Sequence, residues 1–262
     1  MRHGINTSMF FIHGLLVGEN GDYPQALRYM EQARAKNPRS IPIILLEARI
    51  LTLSKQEKKA VSFLEAALVD NPKSQQLNLH YARALIAVKD YQGAEKKLSQ
   101  LIAIAPNNPE TQLMHALLAF DNKHDEAAIA SFNRLIALQN NEEEANYYLA
   151  MIAKRQDKLA DAEKYFTQIN EGERYLSAQI ELATLRIKSD RLSQARQQLT
   201  ESRQQHPELA STLYAVEIEL LNNNHLEESA YLLVLDAIKQ FPNDNLLLFS
   251  RALMADKRQE LA

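Results

Sequence analysis

Ser74 to Asn108, SQQLNLHYARALIAVKDYQGAEKKLSQLIAIAPNN, holds in one stretch the pattern on which the whole chain is built. Leu77, Leu79, Ala82, Leu85 and Ile86 are spaced for one face of a helix, and Ala94, Leu98, Leu101 and Ile102 for one face of a second. Between them Lys89-Asp90-Tyr91-Gln92-Gly93 is a polar break too short for anything but an antiparallel hairpin. Pro106 closes the second helix because it has no backbone N–H and biases Ala105 out of the helical region.

This unit recurs in both directions. An alanine returns every 34 residues as Ala26, Ala60, Ala94, Ala128 and Ala162, then as Ala195 after 33. Pro38, Pro72 and Pro106 keep the same step, and Pro207 and Pro242 resume it. A fixed period of this size means one supersecondary unit stacked many times, with the core spread along a solenoid. The alanine falls early in each second helix, where only a small side chain lets two backbones approach. A bulky residue follows four places on: Met30, Leu64, Leu98, Phe132, Phe166 and Leu199. The turns Gly21-Asp22-Tyr23-Pro24, Asp157-Lys158-Leu159 and Asp190-Arg191-Leu192 place an acidic or polar residue where it is expected to cap the second helix.

These residues resemble the tetratricopeptide repeat family. The resemblance implies an all-α, right-handed superhelical solenoid of antiparallel helix hairpins. In its frame the chain is a single array with repeats 7–40, 41–74, 75–108, 109–142, 143–175, 176–209 and 210–244, and a partial eighth at 245–262. The small residue of the first helix is Gly14, Ala48, Ala82, Ala116, Ala150, Ala183 and Ala252. Departures are visible. Asn140 replaces a proline, the fifth repeat is one residue short, and the seventh has one too many. Either Ser229 or Ala230 then fills its small site, and Glu217 matches poorly. The usual aromatic of the first helix is replaced by Asn78, Gln112, Asn146 and Gln179. A narrower likeness, in 144–150, 168–180 and 245–253, is to proteobacterial outer-membrane repeat lipoproteins, a group that includes an adaptor for a periplasmic processing protease. It implies a bacterial protein attached to the outer membrane on its periplasmic side, with a cytoplasmic location as the alternative. A lipidated cysteine and further repeats would then lie outside this chain.

Bulk composition narrows the chemistry. Thirty basic residues face 33 acidic ones for a net charge of −3, unlike the basic footprint of a nucleic-acid binder. With no cysteine, disulfides, thiolate catalysis and cysteine-bound zinc are excluded. The longest apolar runs, 9–17 and 41–46, are too short to insert into a membrane, and residues 1–8 make no convincing signal peptide. His3, His13, His80, His115, His124, His206 and His225 form no HExxH pair and no ligand spacing. Gly18 to Gly21 lacks the lysine of a phosphate loop, there is no nucleophile elbow, and Glu142-Glu143-Glu144 complements a helix start. The expectation is no enzyme, no cofactor and no metal.

The informative row lies on the first helices. Position five is apolar throughout, as Phe11, Leu45, Leu79, Leu113, Tyr147, Ile180, Tyr214 and Phe249, and stacking turns it toward the groove where this family takes ligands. The same side chains are equally suited to the packing role of the missing aromatic. Position nine adds Leu15, Arg49, Arg83, Leu117, Met151, Thr184 and Ile218. Arg49 and Arg83, one repeat apart, form a cationic patch in an apolar groove, suited to carboxylate capture or else paired with a nearby Glu. Phe11 and Leu15 stand where the family's chaperone-tail clamp needs Lys and Asn, which argues against that ligand.

The candidate partner site is therefore Phe11, Leu45, Arg49, Leu79, Arg83, Leu113, Leu117, Tyr147, Met151 and Ile180. The expected function is a non-enzymatic scaffold or adaptor that binds a protein or peptide segment, without nucleic acid and without membrane insertion. The alternatives are a structural module that self-assembles, and an enzyme with an unrecognised site. Leu246, Leu247, Phe249 and Leu253 leave the last helix apolar nearly all round. It is a poor cap for a solenoid, so the chain is expected to be an excerpt of a longer array that frays or pairs end to end when isolated.

Overall fold

Where two helices cross at an alanine their backbones approach closely, and that crossing recurs along the chain. The computed structural model describes residues 2–257, with side chains from 7 to 255, and these residues form fifteen α-helices and no strand. They fall into two compact units, Met1–Asn140 and Asn141–Ala262.

The first unit holds α1 (Arg2–Glu19), α2 (Tyr23–Lys36), α3 (Ile41–Leu53), α4 (Glu57–Asp70), α5 (Gln75–Ala87), α6 (Tyr91–Ile104), α7 (Pro109–Asp121) and α8 (Asp125–Ala137). The second holds α9 (Glu142–Arg155), α10 (Leu159–Phe166), α11 (Tyr175–Lys188), α12 (Leu192–Gln205), a 3-10 turn (Pro207–Leu209), α13 (Ala210–Asn223), α14 (Glu227–Gln240) and α15 (Asn245–Lys257). Within each unit consecutive helices pair as hairpins, and each hairpin packs on the next. Ala26, Ala60, Ala94, Ala128, Ala162 and Ala195 are all fully buried, and so are the bulky residues four places beyond them. A Cβ on Gly14, the small residue of α1, would come within 2.2 Å of the Met30 side-chain tip, so the site is filled to the last methyl.

The first helices α3, α7 and α9 bury the same six positions of the repeat. In α3 these are Ile43, Ile44, Glu47, Ala48, Ile50 and Leu51, and in α9 Ala145, Asn146, Leu149, Ala150, Ile152 and Ala153. In α13 the buried set Leu213, Tyr214, Glu217, Ile218 and Leu221 matches only when the count starts at 211. The extra residue thus belongs to the Pro207–Leu209 turn, and Ala230 is the buried ladder alanine. Position five of that repeat becomes Ala215 and position nine Glu219, which corrects the reading of Tyr214 and Ile218. Glu217 occupies the place of Glu47.

That shared position has a shared partner. Arg34 on α2 reaches Glu47 at 2.8 Å, and Arg203 on α12 reaches Glu217 at 2.7 Å. Both arginines also lie over an aromatic ring, Phe63 and Tyr214 respectively. Burial pushes the Glu47 carboxyl above its ordinary pKa, against the opposing hydrogen bond and charge of Arg34. Amides replace the missing aromatics in a specific way. Asn78 Nδ2 donates to the Pro72 carbonyl at 3.0 Å and Gln112 Nε2 to the Pro106 carbonyl at 2.7 Å. Each tethers a first helix to the turn before it, giving a turn carbonyl a donor.

The hairpin turns differ from expectation in one respect. Asp22 and Asp90 cap their helices, accepting from Gln25 N at 3.1 Å and Gly93 N at 2.9 Å. Asp157 and Asp190 do not cap. They adopt φ of 58° and 57°, and Lys158 and Arg191 stand at the cap position without a side-chain capping bond. The left-handed residue is the general device. Gly21, Lys55, Lys89, Lys123, Asp157, Asp190 and His225 hold it at the same place in successive repeats. The next N–H then bonds five residues back, as from Asp90 to Leu85 at 2.9 Å and from Lys158 to Ala153 at 2.8 Å. That is the bond of a Schellman helix ending.

Candidate functional site

In the first unit, position five serves packing more than exposure. Phe11 packs half-buried against the core of Ala26, Met30 and Ala33, and Leu45 against that of Ile44, Leu64 and Leu77. Leu79 is 6% exposed and belongs to the core outright. Leu113 and Leu117 on α7 are half-buried. In the second unit Tyr147 and Met151 pack on the cluster around Ala150 and Phe166, and Ile180 is half-buried. Arg174 lies over the rings of Tyr147 and Tyr148, 5.0 and 5.3 Å from their centroids, and donates to Glu144 at 3.2 Å. Tyr147 is thereby held by its own unit.

Position nine behaves differently. Arg49 on α3 and Arg83 on α5 line one cleft of about 230 Å³ together with Ala48, Thr52, Leu64, His80 and Ala84. On its other side Arg49 borders a smaller recess of about 50 Å³ with Leu15, Gly18, Glu19 and Leu53. Arg83 pairs with Glu110 of α7, and both side chains are about half exposed. Arg49 is exposed and has no hydrogen bond or ion pair among the described residues. Of the two expectations for the arginines, the ion pair with a nearby Glu is seen at Arg83.

His80 was not singled out by sequence, because nothing at its place in neighbouring repeats repeats its chemistry. Burial lowers its pKa first, the positive charges of Arg83 and Arg49 lower it further, and Glu110 opposes them. Thr52 Oγ1 already donates to the Ala48 carbonyl at 3.1 Å, so the donors left to face the cleft belong to Arg49, Arg83 and His80.

The second unit has a cleft of opposite character. About 360 Å³ between α13 and α15 is lined by Ala215, Val216, Ile218, Glu219, Phe249, Leu253 and Met254, among others. Leu246, Phe249 and Leu253 are more than half exposed there, whereas Leu247 is fully buried, so α15 is anchored by one face while apolar side chains on its other faces stay exposed. Elsewhere, His115 is buried between Ser99 at 3.1 Å and Ser131 at 2.8 Å, and burial lowers its pKa. Among the described residues no helix is long and apolar enough to cross a membrane.

Family models described as tetratricopeptide repeat match residues 19–84 and 51–119, and a further one matches 113–170, together more than half of the chain. The TPR repeat-containing protein PA4667 of Pseudomonas aeruginosa is 34% identical over 118 residues, which is 45% of this chain. The chain spans about 20% of that relative's length. Among solved structures, PilF of Pseudomonas aeruginosa aligns with a TM-score of 0.59 and 16% identity over 79% of this chain and 95% of its own. A tetratricopeptide repeat protein of Parabacteroides merdae aligns at 0.58 and 14% over 95% and 98%. At these identities the structures establish the fold alone. With hairpins stacked at a 34-residue period and the family models matching over most of that array, the chain belongs to the tetratricopeptide repeat family.

Proposed function

We propose that the chain is a non-catalytic scaffold whose first unit captures a protein segment along the exposed face of its first helices. Tetratricopeptide arrays serve generally as protein-interaction scaffolds, which is the starting point. The observation that carries the reading is Arg49, an exposed guanidinium without a partner among the described residues, set between two clefts. A protein gains little stability from such a side chain, while an interface gains both orientation and affinity from it. Leu45 on α3 and Leu113 and Leu117 on α7 are half-buried and leave apolar contact area on first helices of the same unit. The partner is thus a segment with apolar anchors and at least one acidic group.

Arg49→Glu combined with Arg83→Glu is expected to weaken binding of an identified partner at least about tenfold, through like-charge repulsion. Helicity and melting temperature should stay nearly unchanged, because both side chains are largely exposed. Unchanged affinity in calorimetry would remove both residues from the interface. Service to an envelope processing protease is a narrower proposal that rests on the short sequence likeness at 144–150, 168–180 and 245–253. A stoichiometric complex between the purified chain and such a protease supports it, and co-elution no better than that of the double variant removes it.

A further inference from the structure

Arg186 in the last turn of α11 and Gln194, Gln197, Gln198 and Glu201 of α12 line a polar cleft of about 250 Å³ in the second unit. Gln198 is buried, at 8% exposure, and its amide nitrogen donates to both oxygens of Gln179, the backbone carbonyl at 3.1 Å and the side-chain Oε1. Turning the amide over would set oxygen against oxygen, so its orientation is fixed. Gln198 Oε1 is then an acceptor with no hydrogen-bond partner among the described residues. Such a group costs stability where it stands and calls for a donor. Its neighbours are acceptors too. Gln197 Nε2 donates to Glu201 Oε1 at 2.8 Å, which leaves Gln197 Oε1 and Glu201 Oε2 uncommitted among the described residues. Arg186 Nε is held by Glu163 at 2.8 Å, and Arg191 shares that carboxylate at 2.6 Å. Two arginines against Glu163 and Glu201 leave these charges balanced, so the acceptors, and not surplus charge, give the cleft its selectivity.

We infer that this cleft is an ammonium-recognition site that receives the side-chain amine of a lysine on a protein partner, with Gln197 Oε1, Gln198 Oε1 and Glu201 accepting its three N–H bonds. An alkylammonium carries three donors at tetrahedral angles and no acceptor, which fits three acceptors on three side chains. A guanidinium asks for paired coplanar oxygens, and Gln197 already takes one oxygen of the Glu201 carboxylate. Gln194 and Gln197 are exposed and turn readily, so a ligand nitrogen reaches Gln198 Oε1 without movement of the backbone. The repeat itself does not ask for this amide. Three places after the ladder alanine, where Gln198 stands, the other second helices carry Tyr29, Phe63, Lys97, Ser131, Tyr165 and Leu233. The site therefore belongs to α12, a second helix, and stands independently of the segment capture proposed for the first unit.

The test uses the whole chain and Nα-acetyl-lysine N-methylamide as probe. Its Nε-trimethyl form is the control, since it keeps the charge and has no N–H to donate from that nitrogen. The side-chain amide resonances of Gln198 are followed by NMR during titration. The expected result is a saturable shift with the lysine probe and none with the trimethyl form. Glu201→Gln should weaken probe binding about tenfold, the scale of one charge-assisted hydrogen bond. Its melting temperature should stay unchanged, because Glu201 is exposed. Equal shifts with the trimethyl form, undiminished binding in Glu201→Gln, or no saturable shift with the lysine probe would each overturn the assignment. Tighter binding of spermidine than of the lysine probe would overturn the protein source, in favour of a free polyamine.

Discussion

At the scale of single residues, size and charge each leave a testable mark. Ala94 and Ala128 are fully buried where helices cross, so a larger side chain has no space unless the hairpin opens. Ala94→Leu or Ala128→Leu is expected to cost about 1–3 kcal/mol in urea melts, and a loss under half of the lower bound would mean the crossing has slack. Glu163 supplies the electrostatic case. Burial raises its pKa, but the hydrogen bonds from Arg191 and Arg186, at 2.6 and 2.8 Å, outweigh burial and the net shift is downward. A carboxyl whose folded pKa is depressed stabilises above its unfolded pKa, and that contribution fades as pH falls through the folded value. Glu163→Gln should therefore cost about 1–2 kcal/mol near neutrality, with the difference from wild type closing in acid. A difference independent of pH would show packing to be the cause. The alanine ladder was legible in sequence because steric exclusion repeats with the period. The place of His80 beside Arg49 was not, because the two lie in different repeats and their cleft exists only after stacking.

At the scale of elements, the turns show where sequence reading stops. Helix periodicity and proline placement locate each hairpin, yet the residue in the left-handed conformation is Gly only at Gly21 and is otherwise Lys, Asp or His. These identities carry no common signal because the position is defined by backbone geometry and points to solvent. Lys89, with φ of 66°, has the conformation that glycine adopts without strain. Lys89→Gly is expected to raise stability by up to about 1 kcal/mol, the relief of the left-handed penalty less the added freedom of the unfolded chain. Lys89→Val should lower it by a similar amount, since a branched Cβ aggravates the clash. Equal melting of all three proteins would mean that the turn does not limit stability. The seventh repeat's register is hidden in the sequence for a related reason. An inserted residue absorbed by the Pro207–Leu209 turn leaves no mark in composition, and only the burial of Leu213, Ile218 and Ala230 locates it.

At the scale of the molecule, each unit repeats one hairpin but varies the chemistry that its first helices present. Arg49, His80 and Arg83 line a cleft in the first unit, while Ile218, Phe249 and Leu253 line one in the second. The interior positions repeat because close packing admits few side chains, while the exposed ones are free to specify a partner. Sequence periodicity therefore speaks clearly about the fold and only faintly about the ligand. We propose that the exposed face of the first helices, and not that of the second helices, receives the bound segment. Site-specific photo-crosslinking in the native host tests it directly. A photoreactive residue is placed at Leu113 on α7 or at Gln100 on α6, each with and without Arg49→Glu. A discrete adduct is expected from position 113 that Arg49→Glu abolishes, and none from position 100. An adduct from position 100 of equal yield, insensitive to Arg49→Glu, would contradict it.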